Sequence, residues 1–353
     1  MQTNSPLFWD CLSLCGKKEL ISYPIVLYND SIGFGTRKVI DPNKPSFWIS
    51  DFPLKRKTDF WKNIPESLFF QPISVFPIPI NQGHFTYPKL LSITETPSFN
   101  DFEKTINRFK QSKIEKVVLA RRTTFTFEKK ISPIQLFHFL KKRSPDAFVF
   151  AIILSDNLAF ISATPEKLFF RKGLEIETEA LAGTKSSIDE NLLLTSEKDL
   201  KEFLFVKETL TDQLQKICNP FSNNQNISIK KAGNVSHLHS TIKATLKKSI
   251  SDAELIRTLH PTPAIGGRPK KEALAFINSF EPFDRGLYAG SLGLLSKRES
   301  KVFVGIRSAL IEETKLHIFS GAGIIPESNP LHEWQELDHK QGLYNLKNYS
   351  TSI

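Results

Sequence analysis

Cysteine is scarce: Cys11, Cys15 and Cys218 are the three in 353 residues, an odd number that matches no zinc spacing. Long apolar runs are missing too. The longest, AFVFAIIL at 147–154, falls far short of the ~20 residues that cross a bilayer. The opening MQTNSPLFWDCLSLCG lacks the charged start and long apolar core of a signal peptide. There is no glycine-rich phosphate loop, no solenoid repeat, no zinc finger, no RNP-type aromatic signature and no arginine-rich arm. These absences point to a cytoplasmic protein without structural disulfides, one that neither spans a membrane nor binds nucleic acid.

Apolar residues make up 40% of the chain and phenylalanine alone accounts for 29 positions, ample for a packed core. The net charge of +10 is spread along the chain, with only short clusters such as PLKRK and RPKK, which suits solubility and attraction of small anions. Eleven of the 21 prolines fall in the first hundred residues, so short edge strands and loops are expected there. NQGHFTYPKLLSITETPS reads as a connector. Phe99, Phe102, Ile106 and Phe109 then recur at helical spacing behind Ser98 as N-cap. Residues 116–127 read as a strand, and SPIQLFHFLKKRS as a helix with proline at its first position. AFVFAIIL and LAFIS form a hairpin around Asp156-Asn157. One long helix is expected over 188–217, with Ser187 and Glu190 as a capping box. GSLGLLS, KVFVGIRSALI and KLHIFSGAGII make an antiparallel meander, and a last helix covers 330–346. Strands joined directly to strands favour an α+β fold, with large antiparallel β-sheets forming the core and helices outside.

Four places carry chemistry, each with an ordinary structural reading beside it. Lys116 opens the strand KVVLARR and shares a face with Val118 and Ala120; taken alone it marks a wet strand end, as most such lysines do. Glu166 follows a proline after a buried hairpin strand, as many turn carboxylates do. Gly183-Thr184, after a strand, is either a tight turn or a cradle of N–H and hydroxyl groups. Glu333, Glu336 and Lys340 lie on one face of the last helix. Glu336 and Lys340 form a surface pair worth ~0.2–0.5 kcal/mol, or the two carboxylates offer Mg²⁺ hard oxygen ligands, with Glu202 supplying another from across a cleft. Arg307 sits in VFVGIRSAL among small and apolar neighbours, where reading a carboxylate bidentately is the natural use of a guanidinium.

EKVVLARR, ATPEKL, TEALAGT, SEKDLKEF, LHPTPAIGG, EPFDRGLYAGSLG, IRSAL and SGAGIIPESNPLHEWQELDHK occur in that order. The set resembles the chorismate-utilising enzymes, a family that includes isochorismate, salicylate, anthranilate and aminodeoxychorismate synthases. The resemblance covers roughly residues 95–347. It implies a β-rich N-terminal part of the same fold at 1–94 and a chorismate-binding catalytic region at 95–353.

The resemblance also implies roles. Lys116 would be the base on an attacking water, and Glu166 the acid that protonates the departing 4-hydroxyl. Glu202, Glu333 and Glu336 would hold Mg²⁺. Arg307 and Tyr288 would hold the side-chain carboxylate of chorismate, with backbone N–H groups offered by Gly321 and Gly323. Lys340 would lie near the ring carboxylate, and Gly183, Thr184 and His260 would line the pocket. Family members that use ammonia resemble one another in carrying glutamine where Lys116 stands, and aminodeoxychorismate synthases tend to carry lysine where Ala182 stands. Lysine and alanine here imply a water-using member: an isochorismate synthase, of the menaquinone or the siderophore pathway. The alternatives are a salicylate synthase and, more remotely, a non-catalytic basic binding protein on the same scaffold. A monomer or weak dimer without a glutamine amidotransferase subunit is implied.

Overall fold

A computed structural model describes residues 25–28, 31–34, 41, 43–58, 60, 67–71, 74–77, 85–155, 157–221, 226–232 and 235–346. In chain order come β1 (Ile25–Tyr28), β2 (Ser31–Phe34), β3 (Ser46–Ser50), β4 (Ser67–Phe70) and β5 (Ser74–Pro77). Then follow β6 (Leu90–Thr96), α1 (Phe99–Lys110), β7 (Lys116–Phe127), α2 (Pro133–Arg143), β8 (Phe148–Ser155) and β9 (Leu158–Thr164). The middle of the chain forms β10 (Lys167–Lys172), β11 (Glu175–Ser186), α3 (Glu197–Ile217), β12 (Ser228–Ala232) and β13 (Val235–Thr245). The remainder is α4 (Asp252–Leu259), β14 (Gly267–Arg268), α5 (Lys270–Phe280), β15 (Ser291–Leu295), β16 (Glu299–Val304), β17 (Ser308–Glu312), β18 (Lys315–Ile324) and α6 (Pro330–Gln341).

The strands make two antiparallel sheets. One runs β14-β7-β18-β17-β9-β8-β1-β2-β5, with β6 also on β7; the other runs β12-β13-β11-β10-β16-β15-β3-β4. The fold is α+β, as its strand-to-strand joins predict, and the strands before residue 80 extend both sheets. Helices cover the outside: α2 lies against β8 and β9, α3 against β11 and β13, α5 against β7, and α6 against β18. Among the described residues, no helix is long and apolar enough to cross a membrane.

The first two helices follow local rules. Ser98 accepts from Asp101 N at the start of α1, which buries Phe102, Ile106 and Phe109. Each of these adds roughly 2 kcal/mol of apolar burial. Ser132 caps α2 with Pro133 at its first turn. The β8–β9 hairpin forms as expected, although Asp156 of its turn lies outside the described residues.

Three expectations change. The stretch 188–217 is broken into a 3-10 turn at Glu190–Leu194 and then α3, because Ser196 supplies the cap by accepting from Asp199 N. Glu190 instead accepts from Ser236 Oγ at 2.8 Å and pairs with Lys231. Part of the expected connector is strand β6, paired with β7; residues 81–84 lie outside the described set. KVFVGIRSALI is two strands in different sheets, β16 and β17, and Arg307 stands between them at φ 50°.

Strand β7 begins at Lys116. One edge pairs with β18 along most of its length. The other edge meets β14 at Lys116 and Val117, and β6 from Arg122 onward. In the gap between them, side chains replace a strand. Val118 N donates to Gly266 O, Ala120 N donates to Glu281 Oε1 at 2.8 Å, and Arg285 donates to Val118 O and Ile265 O at 2.7 Å each. Glu281 and Arg285 are paired and buried, so strand β7 is fixed where the site needs it rigid.

Candidate active site

A pocket of about 610 Å³, partly open to solvent, takes residues from both sheets. The first sheet gives Val118 on β7 and Phe319, Ser320, Gly321 and Gly323 on β18. The second gives Leu181, Ala182 and Thr184 on β11 and His237 on β13. Glu202 on α3, Lys340 on α6, and Glu166, Ala264, Ile265, Tyr288, Ile306 and Arg307 on connecting segments complete it.

Lys116 lies fully buried one layer behind this wall. Its Nζ is 3.0 Å from Glu202 Oε1. Gly323 makes that contact possible, since a Cβ there would come within 2.0 Å of Glu202 Oε1 and 3.2 Å of Lys116 Cε. Gly321 is required in the same way: its Cβ would fall 2.5 Å from the Tyr288 hydroxyl. The two glycines of GAG therefore make room for neighbouring side chains.

Each of the three expected metal carboxylates is held by a lysine. Glu202 pairs with Lys116, Glu333 with Lys198 at 2.5 Å, and Glu336 with Lys340 at 2.6 Å. Burial, and then the charge of Glu336, push the Glu333 carboxyl up. Among the described residues, no three His, Cys, Asp or Glu side chains converge closely enough to hold a metal ion as they stand. The donor set still fits a hard dication in kind: oxygen ligands only, one of them buried and repelled by its neighbours, with lysines standing in as the cations.

Glu166 is 5% exposed, and its carboxyl is pushed up to about 7, first by burial and then by the nearby Glu179. Lys116, Lys230 and Lys340 oppose the shift without cancelling it. A carboxyl in that range carries its proton at neutral pH for part of the time, as a proton donor must.

Arg307 is buried, and burial pulls its guanidinium down to about 10. Among the described residues no carboxylate pairs with it. It donates to Lys340 O at 3.3 Å and faces His237 Nε2 at 3.4 Å. An arginine donor requires His237 Nε2 to accept, so the imidazole is neutral, and burial keeps it so. His237 Nδ1 is then left for Gly183 O at 3.2 Å, with Thr184 Oγ1 at 3.1 Å. Tyr288 stacks on Phe319 at 5.2 Å, and its hydroxyl is pushed up by burial.

The structure corrects two placements. Gly183-Thr184 is a bulge within β11, not a turn after a strand, with Gly183 at φ 68° packed on Asp199 and Thr184 in the pocket wall. His260 is absent from the wall: its Nε2 meets Ala289 O at 2.8 Å, and burial lowers its pKa to about 4.

Residues 85–343 match the family of chorismate binding enzymes. The chain belongs to that family. It is 40% identical to isochorismate synthase 2, chloroplastic, of Arabidopsis thaliana over 240 residues, which is 65% of this chain and 43% of that protein. To isochorismate synthase MenF of Haemophilus influenzae it is 36% identical over 246 residues, 67% of this chain and 57% of the relative. The chain spans about half the length of the curated relatives it matches. The fold is similar to that of MenF, the menaquinone-specific isochorismate synthase from Escherichia coli, with a TM-score of 0.79 at 21% identity, covering 98% of this chain and 91% of that one.

In this chorismate binding enzyme, two site residues escape the motif reading: His237 in the wall and Lys198 on Glu333. The available signal for His237 was SHLHS, where His237 and His239 alternate with Leu238 on a strand and so share one face.

Proposed function

We propose that this chain is an isochorismate synthase that converts chorismate to isochorismate with Mg²⁺ as cofactor. The observation that supports it best is a buried acid and a buried base, Glu166 and Lys116, beside a pocket whose arginine pairs with no carboxylate among the described residues. Arg307, with Tyr288 beside it, takes the side-chain carboxylate of chorismate as a charge-assisted, bidentate pair. Lys116 accepts a proton from water as the oxygen bonds to C2. Both ring double bonds shift, C1=C2 to C1=C6 and C5=C6 to C4=C5, the C4–O bond breaks, and Glu166 gives its proton to the departing hydroxyl, which leaves as water. One water enters and one leaves, so the reaction is an isomerisation, and both protons return through solvent. Glu202, Glu333 and Glu336 would hold Mg²⁺, which supplies positive charge for the ring carboxylate.

Lys116 and Ala182 favour water over ammonia as nucleophile. Purified protein incubated with chorismate and Mg²⁺ should form isochorismate towards an equilibrium mixture, resolved by chromatography, and EDTA should stop it. Salicylate with equimolar pyruvate would replace this assignment by a salicylate synthase. No EDTA-sensitive product would refute catalysis of either kind.

A further inference from the structure

Glu179 on β11 is an acid that the reaction above does not use, yet it is buried and fully engaged. Its side chain is 3% exposed. Oε1 accepts from Lys167 N at 2.7 Å; Oε2 accepts from Lys230 Nζ at 2.9 Å and lies 2.9 Å from His239 Nε2. Lys230 Nζ also donates to Pro165 O at 3.0 Å. One carboxylate therefore ties both flanks of Glu166, directly at Lys167 and through Lys230 at Pro165. Val304 N binds Glu166 O, and Glu166 N binds Thr164 Oγ1, so the backbone of this segment is anchored at every step. Among the described residues the Glu166 carboxyl itself makes no hydrogen bond, and it faces the pocket.

The charges are as ordered as the bonds. Among the described residues, the charges that act most on Glu166 are those of Glu179, Lys116, Lys230 and Lys340, and of these Glu179 is the anion. Although burial opposes its charge, His239, Lys230 and the Lys167 amide hold the Glu179 carboxyl down to about 2, so it stays ionised across the working range. Three lysines favour the carboxylate of Glu166; a fixed anion beside it favours the acid.

We propose that Glu179 is a positioning residue: it pins the Pro165–Lys167 segment from both sides, and its charge keeps Glu166 supplied with its proton. This rests on reading Glu166 as the general acid. Its signature is a pair of substitutions with opposite effects. Glu179→Gln keeps an oxygen for the Lys167 amide but removes the anion. Lys230→Met removes a cation that favours the Glu166 carboxylate.

The test is a titration of the Glu166 carboxyl by carbon NMR in the intact, glutamate-labelled protein, assigned by the signal lost in Glu166→Gln. It runs beside the pH profile of kcat/KM for chorismate. In Glu179→Gln the midpoint should fall by about 1 in pH, tenfold in the protonation constant; in Lys230→Met it should rise. The basic limb of the profile should move with each. A midpoint unmoved in both, or displaced the same way in both, overturns the inference. Midpoints that move oppositely while the limb stays put uphold the role of Glu179 and overturn the assignment of Glu166 as the acid. Should Glu179→Gln fail to fold, Lys230→Met decides alone: a rise supports the inference, and a fall or no change overturns it.

Discussion

Replacing Gly323 with alanine tests whether the Glu202 carboxylate and the Lys116 side chain occupy the space above that residue. A Cβ there would stand 2.0 Å from Glu202 Oε1, and real Cβ contacts essentially never fall under 3.0 Å. The carboxylate must therefore retreat by at least about 1 Å. The strand has little freedom to yield, because Gly323 pairs with Val118 and the β7 edge is clamped there by Glu281 and Arg285. Displacing Glu202 leaves Lys116 Nζ, wholly buried, without its 3.0 Å partner. Breaking one side of a buried pair costs about 3–5 kcal/mol, a large part of the ~5–15 kcal/mol that holds a protein folded. Urea denaturation of Gly323→Ala should show a loss of about 3 kcal/mol at unchanged m-value. Gly173→Ala is the control: nothing lies within 4 Å of its Cβ, so the backbone strain of its φ of 60°, about 1 kcal/mol and absent at Gly323, is its whole penalty. Isochorismate formation should also fall, on the order of a hundredfold for a catalytic group moved by about 1 Å. If Gly323→Ala is no costlier than Gly173→Ala, the Lys116–Glu202 arrangement is wrong.

Three further substitutions probe the site. Lys116→Gln should abolish conversion of chorismate while leaving chorismate-induced thermal stabilisation largely intact; normal turnover would remove Lys116 as the base. Arg307→Ala should raise KM tenfold or more, since a charge-assisted hydrogen bond is worth ~1.5–3 kcal/mol, and an unaltered KM would mean that it reads no carboxylate. Glu166 should leave a mark on stability against pH. Its folded carboxyl holds its proton to about 7 against an ordinary 4.5, so this contribution is fully present below pH 4.5 and is lost as pH rises through about 7. Glu166→Gln should flatten that slope, as read from urea midpoints at several pH values; the same slope in both proteins would place the titration elsewhere.

What could be read from the sequence was local. α1, β7, α2 and the β8–β9 hairpin follow from apolar spacing and caps within a dozen residues, and they form as expected. The break before α3 is not legible locally, because Ser187-x-x-Glu190 and Ser196 compete as caps and only packing decides between them. Arg307 was placed mid-strand because Phe303, Gly305 and Ala309 alternate correctly on either side of it, and alternation is blind to a change of sheet. The ordered motifs gathered Glu166, Glu202, Tyr288, Arg307 and Lys340 at one pocket. They could not show that His260 turns to a backbone carbonyl or that His237 takes its place, since both choices depend on partners 29 and 70 residues distant.

The crossing at Arg307 has a consequence for how this chain can vary. β16 is locked to β10 and β15, and β17 to β9 and β18, with only Gly305, Ile306 and Arg307 between them. Adding or deleting a single residue there would turn every side chain of one strand onto its opposite face and carry the guanidinium out of the pocket. The hairpin ends at 296–298 and 313–314 face no such constraint. Insertions and deletions across natural variants should therefore collect at those two turns and stop short of the three-residue crossing, whose length is as much a part of the site as its arginine.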